Sequence, residues 1–291
     1  MDQELSFVHV WWYALSAVAV LNIAVWTLST KRFLRHRADP AVHAASRWPH
    51  VLLSGGYVLV CAFRSVLPRA DVQRICVYDS WLSSVLVGRS VATVAELCFA
   101  AQWALILREM SRDHDHPLGE RIAALVLPLI ATAEIFSWYA VLSTSYLGNT
   151  LEQSLWTTTV ALMVVAMVPL FRKTAGPLRR FLGIAIVLSV GFVAFMCSVD
   201  VPMYLTRWLA DEASGRTYLT LSEGLHDVAT RWVVTHELAV WREELAWMAL
   251  YFSVAVWFSI AIVHAPRTRR EIALRAPAEG RAVAAAFVAA E

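Results

Sequence analysis

The sequence predicts an all-α polytopic membrane protein of seven transmembrane helices, N-terminus outside and C-terminus cytoplasmic. Three observations predict it. Of 291 residues, 58% are hydrophobic and only 16% charged, against about 25% charged in ordinary soluble domains. Seven apolar stretches approach the roughly 20 residues that a helix needs to cross a bilayer. Alternating ten-residue segments of barrel strand are absent, which leaves helices as the spanning structure.

The first span, 8–29, follows MDQE with no basic leader and no small-residue cleavage site, and reads as a retained anchor and not a signal peptide. Spans two to seven fall at 50–67, 85–107, 122–146, 155–171, 181–204 and 245–264. Lys31, Arg32, Arg35, Arg37 and Arg47 follow span one; Arg108, Arg112 and Arg121 follow span three. Arg172, Lys173, Arg179 and Arg180 follow span five, and five arginines follow span seven. By the positive-inside rule these connections are cytoplasmic. The opposite side has no lysine, and its arginines are offset by acids.

The outer connection, about 205–242, carries Leu221, Leu225, Val228, Trp232 and Val233 at helical spacing with charged residues between them. That pattern predicts a surface helix roofing spans six and seven. The tail, 265–291, is rich in Ala and Arg and is expected to be mobile or weakly helical. Trp11, Trp12, Trp81, Trp156, Trp208, Trp241 and Trp247 near the outer ends, with Trp26, Trp48 and Trp257 near the inner ones, suit interfacial belts. Three of four cysteines lie in spans, so no disulfide framework is indicated. A net charge of +2 calls for no nucleic-acid partner, and 23 Arg against 2 Lys suggests a bacterial source with an inner-membrane location.

Two acids stand out. Glu96 and Glu134 lie near the middles of spans three and four, where an acid costs about 3 kcal/mol on insertion scales and marks a functional site by default. Helical phase puts Arg89, Thr93 and Glu96 on one stripe, and Glu134, Ser137 and Trp138 on another. Pro128 removes a backbone hydrogen bond before Glu134 and suits a kink there. Arg64, Asp200, Tyr204, Glu243 and Glu244 approach from the outer side, so the polar region is expected to open outward.

Glu96 and Glu134 are the candidate catalytic carboxylates, with Arg64, Arg89, Ser137, Trp138, Asp200 and Tyr204 lining a substrate site for a lipid or amphiphile among the membrane lipids. Glu96, Glu134, His236 and Glu244 are candidate ligands of a divalent cation; carboxylates outnumber imidazoles, which favours a hard cation over zinc. His50 and His264, at span ends, match a haem pair poorly, and RDHDHP reads as a solvated turn. Retinal is excluded, because Lys31 and Lys173 sit at inner helix ends and neither can form a Schiff base in the last span. No His-Glu-x-x-His or Gly-x-Ser-Gly pattern occurs. The function expected first is a membrane-embedded enzyme using carboxylate acid/base or cation-assisted chemistry. A proton- or cation-coupled transporter or channel, and a non-catalytic sensor or subunit, are the rivals.

Overall fold

The computed structural model describes residues 6–35 and 40–265. The predicted tail beyond 265 lies outside the described residues. Among the described residues, seven helices are long and apolar enough to cross a membrane. They are α1 (Phe7–Arg35), α2 (Pro40–Val66), α3 (Val85–Asp113), α4 (Pro117–Ser143), α5 (Tyr146–Lys173), α6 (Gly176–Ala213) and α8 (Leu238–Val263). A shorter helix, α7 (Leu221–Thr230), precedes the last.

The elements outrun the apolar windows because their polar ends are still helical. Ser84 caps α3 by accepting from the Val87 amide, and Pro117 starts α4 where a missing amide costs nothing. Between α4 and α5 the chain turns in two residues: Thr144 is left-handed at φ 63°, and Ser145 caps α5. Residues 147–154, between the expected fourth and fifth spans, are therefore the first two turns of α5. Pro128 does not interrupt α4, and the Pro128 carbonyl accepts from the Thr132 hydroxyl at 2.9 Å.

Membrane helices gain little from burying apolar surface against each other, so close backbone approach and interhelical hydrogen bonds decide their packing. Ala92, Ala95 and Ala100 on α3 and Ala133 and Ala140 on α4 are buried. At Gly148 of α5 a Cβ would strike Ala140 and the Phe136 carbonyl, so α4 and α5 approach backbone to backbone. α8 is tied to the bundle by polar side chains. Gln102 donates to the Ser259 carbonyl at 2.9 Å and accepts from its hydroxyl at 2.7 Å. A π turn at Tyr251–Ala255 loosens the backbone ladder of α8, and the Phe252 carbonyl accepts from Asn22 at 2.8 Å. A second π turn, Met196–Asp200, interrupts α6.

One end of the bundle carries the two long connections, which fold together into a plug. Arg69–Ala70 (β1), Ile75–Cys76 (β2) and Val233–Val234 (β3) form a small sheet, β1 antiparallel to β2 and β2 parallel to β3. Helical periodicity could not announce it. Arg74 fastens the plug, donating to Asp227 at 2.7 Å, to the Asp71 carbonyl at 2.7 Å and to the Val141 carbonyl. The opposite end carries the basic connections, and a cluster of Trp103, Ile106, Leu107, Met110, Ile122 and Leu170 fills the bundle there.

The surface helix exists but roofs a different place. α7 packs on α3 and α4, with Val228 buried against Val85 and Val141, so it does not cover spans six and seven as expected. Trp232 and Val233 lie beyond its end. Gly224 sets the contact, since a Cβ there would collide with the Leu142 carbonyl. Gly224→Leu is expected to lift α7, costing about 1–3 kcal/mol as overpacking does, with faster proteolytic cleavage around 214–237 as the readout. Trp241 is fully buried, its indole donating to the Thr235 carbonyl at 2.8 Å, and is not a belt residue.

Candidate functional site

The site is built on one arginine. Residues 89, 93 and 96 share a face of α3, and that face meets residues 134, 137 and 138 of α4. Arg89 Nη2 donates to Glu96 at 2.9 Å and to Glu134 at 2.8 Å, so the two glutamates face one guanidinium at one depth. Arg89 Nη1 lies 3.6 Å from Glu152 on α5 and 4.0 Å from Asp71 in the plug. All four acids and Arg89 are buried or nearly so.

Neighbouring side chains hold these groups in place. Thr93 donates to Glu134 Oε2 at 2.5 Å and accepts from the Trp138 indole at 3.2 Å. Ser137 lies against Glu152, and Asn149 donates to Glu152 at 3.5 Å. In the plug, Arg69 donates to Asp71 at 2.7 Å, and Arg64 lies 3.9 Å from its other oxygen. Gly88 has no side chain because Arg69 crosses α3 there. Burial alone would raise the Asp71 carboxyl, but Arg64, then Arg69 and Arg89, outweigh it and hold the group below its ordinary 3.8.

That shift fixes a sign. A carboxyl whose folded pKa is depressed stabilises the fold above its unfolded pKa, and the stabilisation fades as pH falls through the folded value. Thermal unfolding followed from pH 7 downward should therefore separate wild type from Asp71→Asn at neutral pH. The gap should close only below the ordinary carboxylate range. A gap that is constant with pH would show that Asp71 is not ionised in this setting.

The structure brings together Glu96, Glu134, Arg89, Ser137 and Trp138, and places Arg64 one carboxylate away, on Asp71. Asp200 sits half-buried in the π turn of α6. Tyr204 packs 6.1 Å from the Tyr146 ring, within electrostatic reach of Glu244, Asp200 and Glu152. Glu243 is exposed and paired with Arg207. The candidate metal set changes. His236 stacks on His9 at 4.2 Å and its Nε2 bonds the Val77 carbonyl, while Glu244 accepts from Gln73 at 3.4 Å. Neither joins the central acids. Glu152 does: one oxygen each of Glu96, Glu134 and Glu152 lie within 4.8 Å of one another. Three carboxylates with no imidazole suit a hard cation and not zinc. His50 bonds Glu109 at 3.3 Å and His264 bonds Ser29, so neither is poised as a haem ligand.

Reasoning from sequence missed Glu152, Asp71 and Arg69. Glu152 had a signal: Ser145, Gly148, Asn149 and Glu152 recur at three- and four-residue steps, a small and polar face continuing an apolar helix. Asp71 and Arg69 had none, since only the folding of the plug brings them in.

Arg64, Asp71 and Arg69 cover the cluster at the plugged end. To the side of the cluster lies a groove of about 620 Å³ lined by Thr93, Leu97, Ala131, Glu134, Ile135, Trp138, Tyr139, Leu142, Ser143, Leu219 and Leu221. Ile135 and Tyr139 stand at 68% and 44% exposure, so the groove is on the perimeter of the bundle. Glu134 is the one acid in its lining. The Oε1 atom of Glu134 is buried and accepts no hydrogen bond.

Fold and site together define a helical bundle, with seven helices long and apolar enough to cross a membrane among the described residues, and a buried arginine–carboxylate network beside a lateral, largely apolar groove. Compared with models of known families, with curated proteins and with solved structures, the chain has no match.

Proposed function

We propose that this is a multi-pass protein of a bacterial inner membrane, plugged end outside and basic end in the cytoplasm, that binds an amphiphile in the lateral groove and acts on its headgroup by carboxylate acid/base chemistry. One observation carries the reading. Glu134, which lines a largely apolar groove, has in Oε1 a buried acceptor without a donor, and such a group is costly until something fills it. A headgroup O–H or N–H fills it. The alkyl chain then lies along Leu97, Ile135 and Leu142.

With Glu134 as general base, the headgroup proton passes to Oε1 and the electron pair stays on the headgroup oxygen or nitrogen, which becomes the nucleophile. Arg89 holds the other carboxylate oxygen through Nη2, and Thr93 fixes its direction. Thermal unfolding of the detergent-solubilised protein tests the binding step. A long-chain alcohol is expected to stabilise it, by about 2.7 kcal/mol at a hundred times the dissociation constant. The methyl ether of that alcohol, which cannot donate, is expected not to. Equal stabilisation by the two would remove Glu134 from the site.

A second reading has its own support. Around the cluster four carboxylates, Asp71, Glu96, Glu134 and Glu152, face three guanidiniums, Arg64, Arg69 and Arg89, which leaves one negative charge over. A proton or cation shared among the three glutamates would balance it, as coupled transport requires.

A further inference from the structure

A second groove lies at the basic end, between α5 and α6, far along both helices from the arginine–carboxylate cluster. It encloses about 410 Å³ and is lined by Phe171, Gly176, Arg179, Arg180, Gly183 and Ile184. Glycine makes the space. A Cβ on Gly183 would come within 3.2 Å of the Phe171 ring, and none of the atoms around Gly176 would come within 4 Å of one built there.

The walls are apolar and the rim is cationic. The Arg179 guanidinium lies 4.7 Å over the Phe171 ring, so its stem follows the wall while its charge stays at the edge. Arg180 stands beside it, also exposed. Among the described residues neither has a carboxylate partner. Two nearby bases are engaged: Lys173 donates to the His114 carbonyl at 3.1 Å, and Arg112 pairs with Glu120 at 2.9 Å. Beyond the groove, α6 continues in exposed Ile184, Val187 and Leu188, a face that only hydrocarbon suits.

We propose that this groove binds one anionic glycerophospholipid of the surrounding leaflet, its phosphodiester on Arg179 and Arg180 and an acyl chain against Phe171, Gly183 and Ile184. An apolar channel leading to two unpaired guanidiniums is complementary to an amphiphile whose only charge is negative. A zwitterionic headgroup would bring a second cation to that rim. Basic pockets between membrane helices on the cytoplasmic side take anionic headgroups by this logic.

Native mass spectrometry of the full chain in neutral detergent tests the site, with dioleoyl phosphatidylglycerol and dioleoyl phosphatidylcholine titrated in parallel. Wild type is expected to retain one phosphatidylglycerol in preference to phosphatidylcholine. Arg179→Gln with Arg180→Gln is expected to weaken it about thirtyfold, at roughly fivefold per arginine near a membrane surface. Gly183→Leu, which fills the groove and leaves both charges, is expected to weaken it too. Equal retention of the two lipids, or undiminished phosphatidylglycerol binding by the double arginine variant, would overturn the proposal. Undiminished binding by a folded Gly183→Leu protein would also overturn it, by showing a basic surface without a groove. The arginine pair decides alone if the leucine variant does not fold.

Discussion

Arg89→Leu is expected to lower the unfolding free energy by about 3–5 kcal/mol, the usual cost of leaving a buried charge without its partner. Here the removed partner serves several groups. Nη2 holds Glu96 and Glu134 at 2.9 and 2.8 Å, and Nη1 faces Glu152 and Asp71 at 3.6 and 4.0 Å. Without the guanidinium, three glutamates whose oxygens lie within 4.8 Å of one another have no cation between them. In low dielectric that arrangement cannot stay ionised.

Arg89→Lys should fall between wild type and leucine. A single ammonium can serve the Nη2 pair or the Nη1 pair but cannot fork to both. Adding Glu96→Gln and Glu134→Gln to the leucine variant should recover part of the loss, because the uncompensated charges go with them. Thermal unfolding in detergent, read with the monodisperse fraction on size exclusion, checks all three. Leucine as stable as arginine would mean that the network does not hold the bundle together. The expected dominance of Arg89 also bears on its role: an arginine committed to two glutamates is poorly placed to bind a substrate, the role expected for it from the sequence.

What could be read in advance follows from what each signal depends on. The seven spans were legible because insertion into hydrocarbon depends on composition summed over about 20 residues, which needs no tertiary knowledge. The stripe of Arg89, Thr93 and Glu96 was legible because three- and four-residue spacing fixes a face on any helix. Glu152 escaped because its own neighbours, Asn149, Thr150, Gln153 and Ser154, are polar, so a hydropathy window starts the span only after them. Yet Asn149, Thr150 and Glu152 are buried against α4, whose backbone Gly148 admits closely.

His236 and Glu244 failed as partners of the central acids for another reason. Closeness along the chain to span seven said nothing of which helices that span would meet, and α8 packs against α1 and α2 through Trp241, Met248 and Phe252. The placement of α7 was equally out of reach. Its roof over α3 and α4 depends on Gly224 meeting a carbonyl 82 positions earlier in the chain, at Leu142.

Glu134→Gln should abolish stabilisation by the long-chain alcohol, and lower turnover about 10²- to 10⁴-fold once a substrate is known, while the fold survives. The substitution is nearly isosteric. A glutamine carbonyl at the Oε2 position still accepts from Arg89 and Thr93, so both of those hydrogen bonds persist. What changes is Oε1, the acceptor without a donor, which becomes an amide that donates. Glu152→Gln supplies the contrast. Glu152 shares the burial and the Arg89 partner but does not line the groove, so its variant should keep the alcohol-dependent shift. The pair therefore separates the two functional readings. Loss in Glu134→Gln alone places a headgroup on one carboxylate, as an enzyme acting on an amphiphile needs. Parallel behaviour of the two variants, with proton flux in liposomes that both abolish, would instead assign the three glutamates to one shared ion.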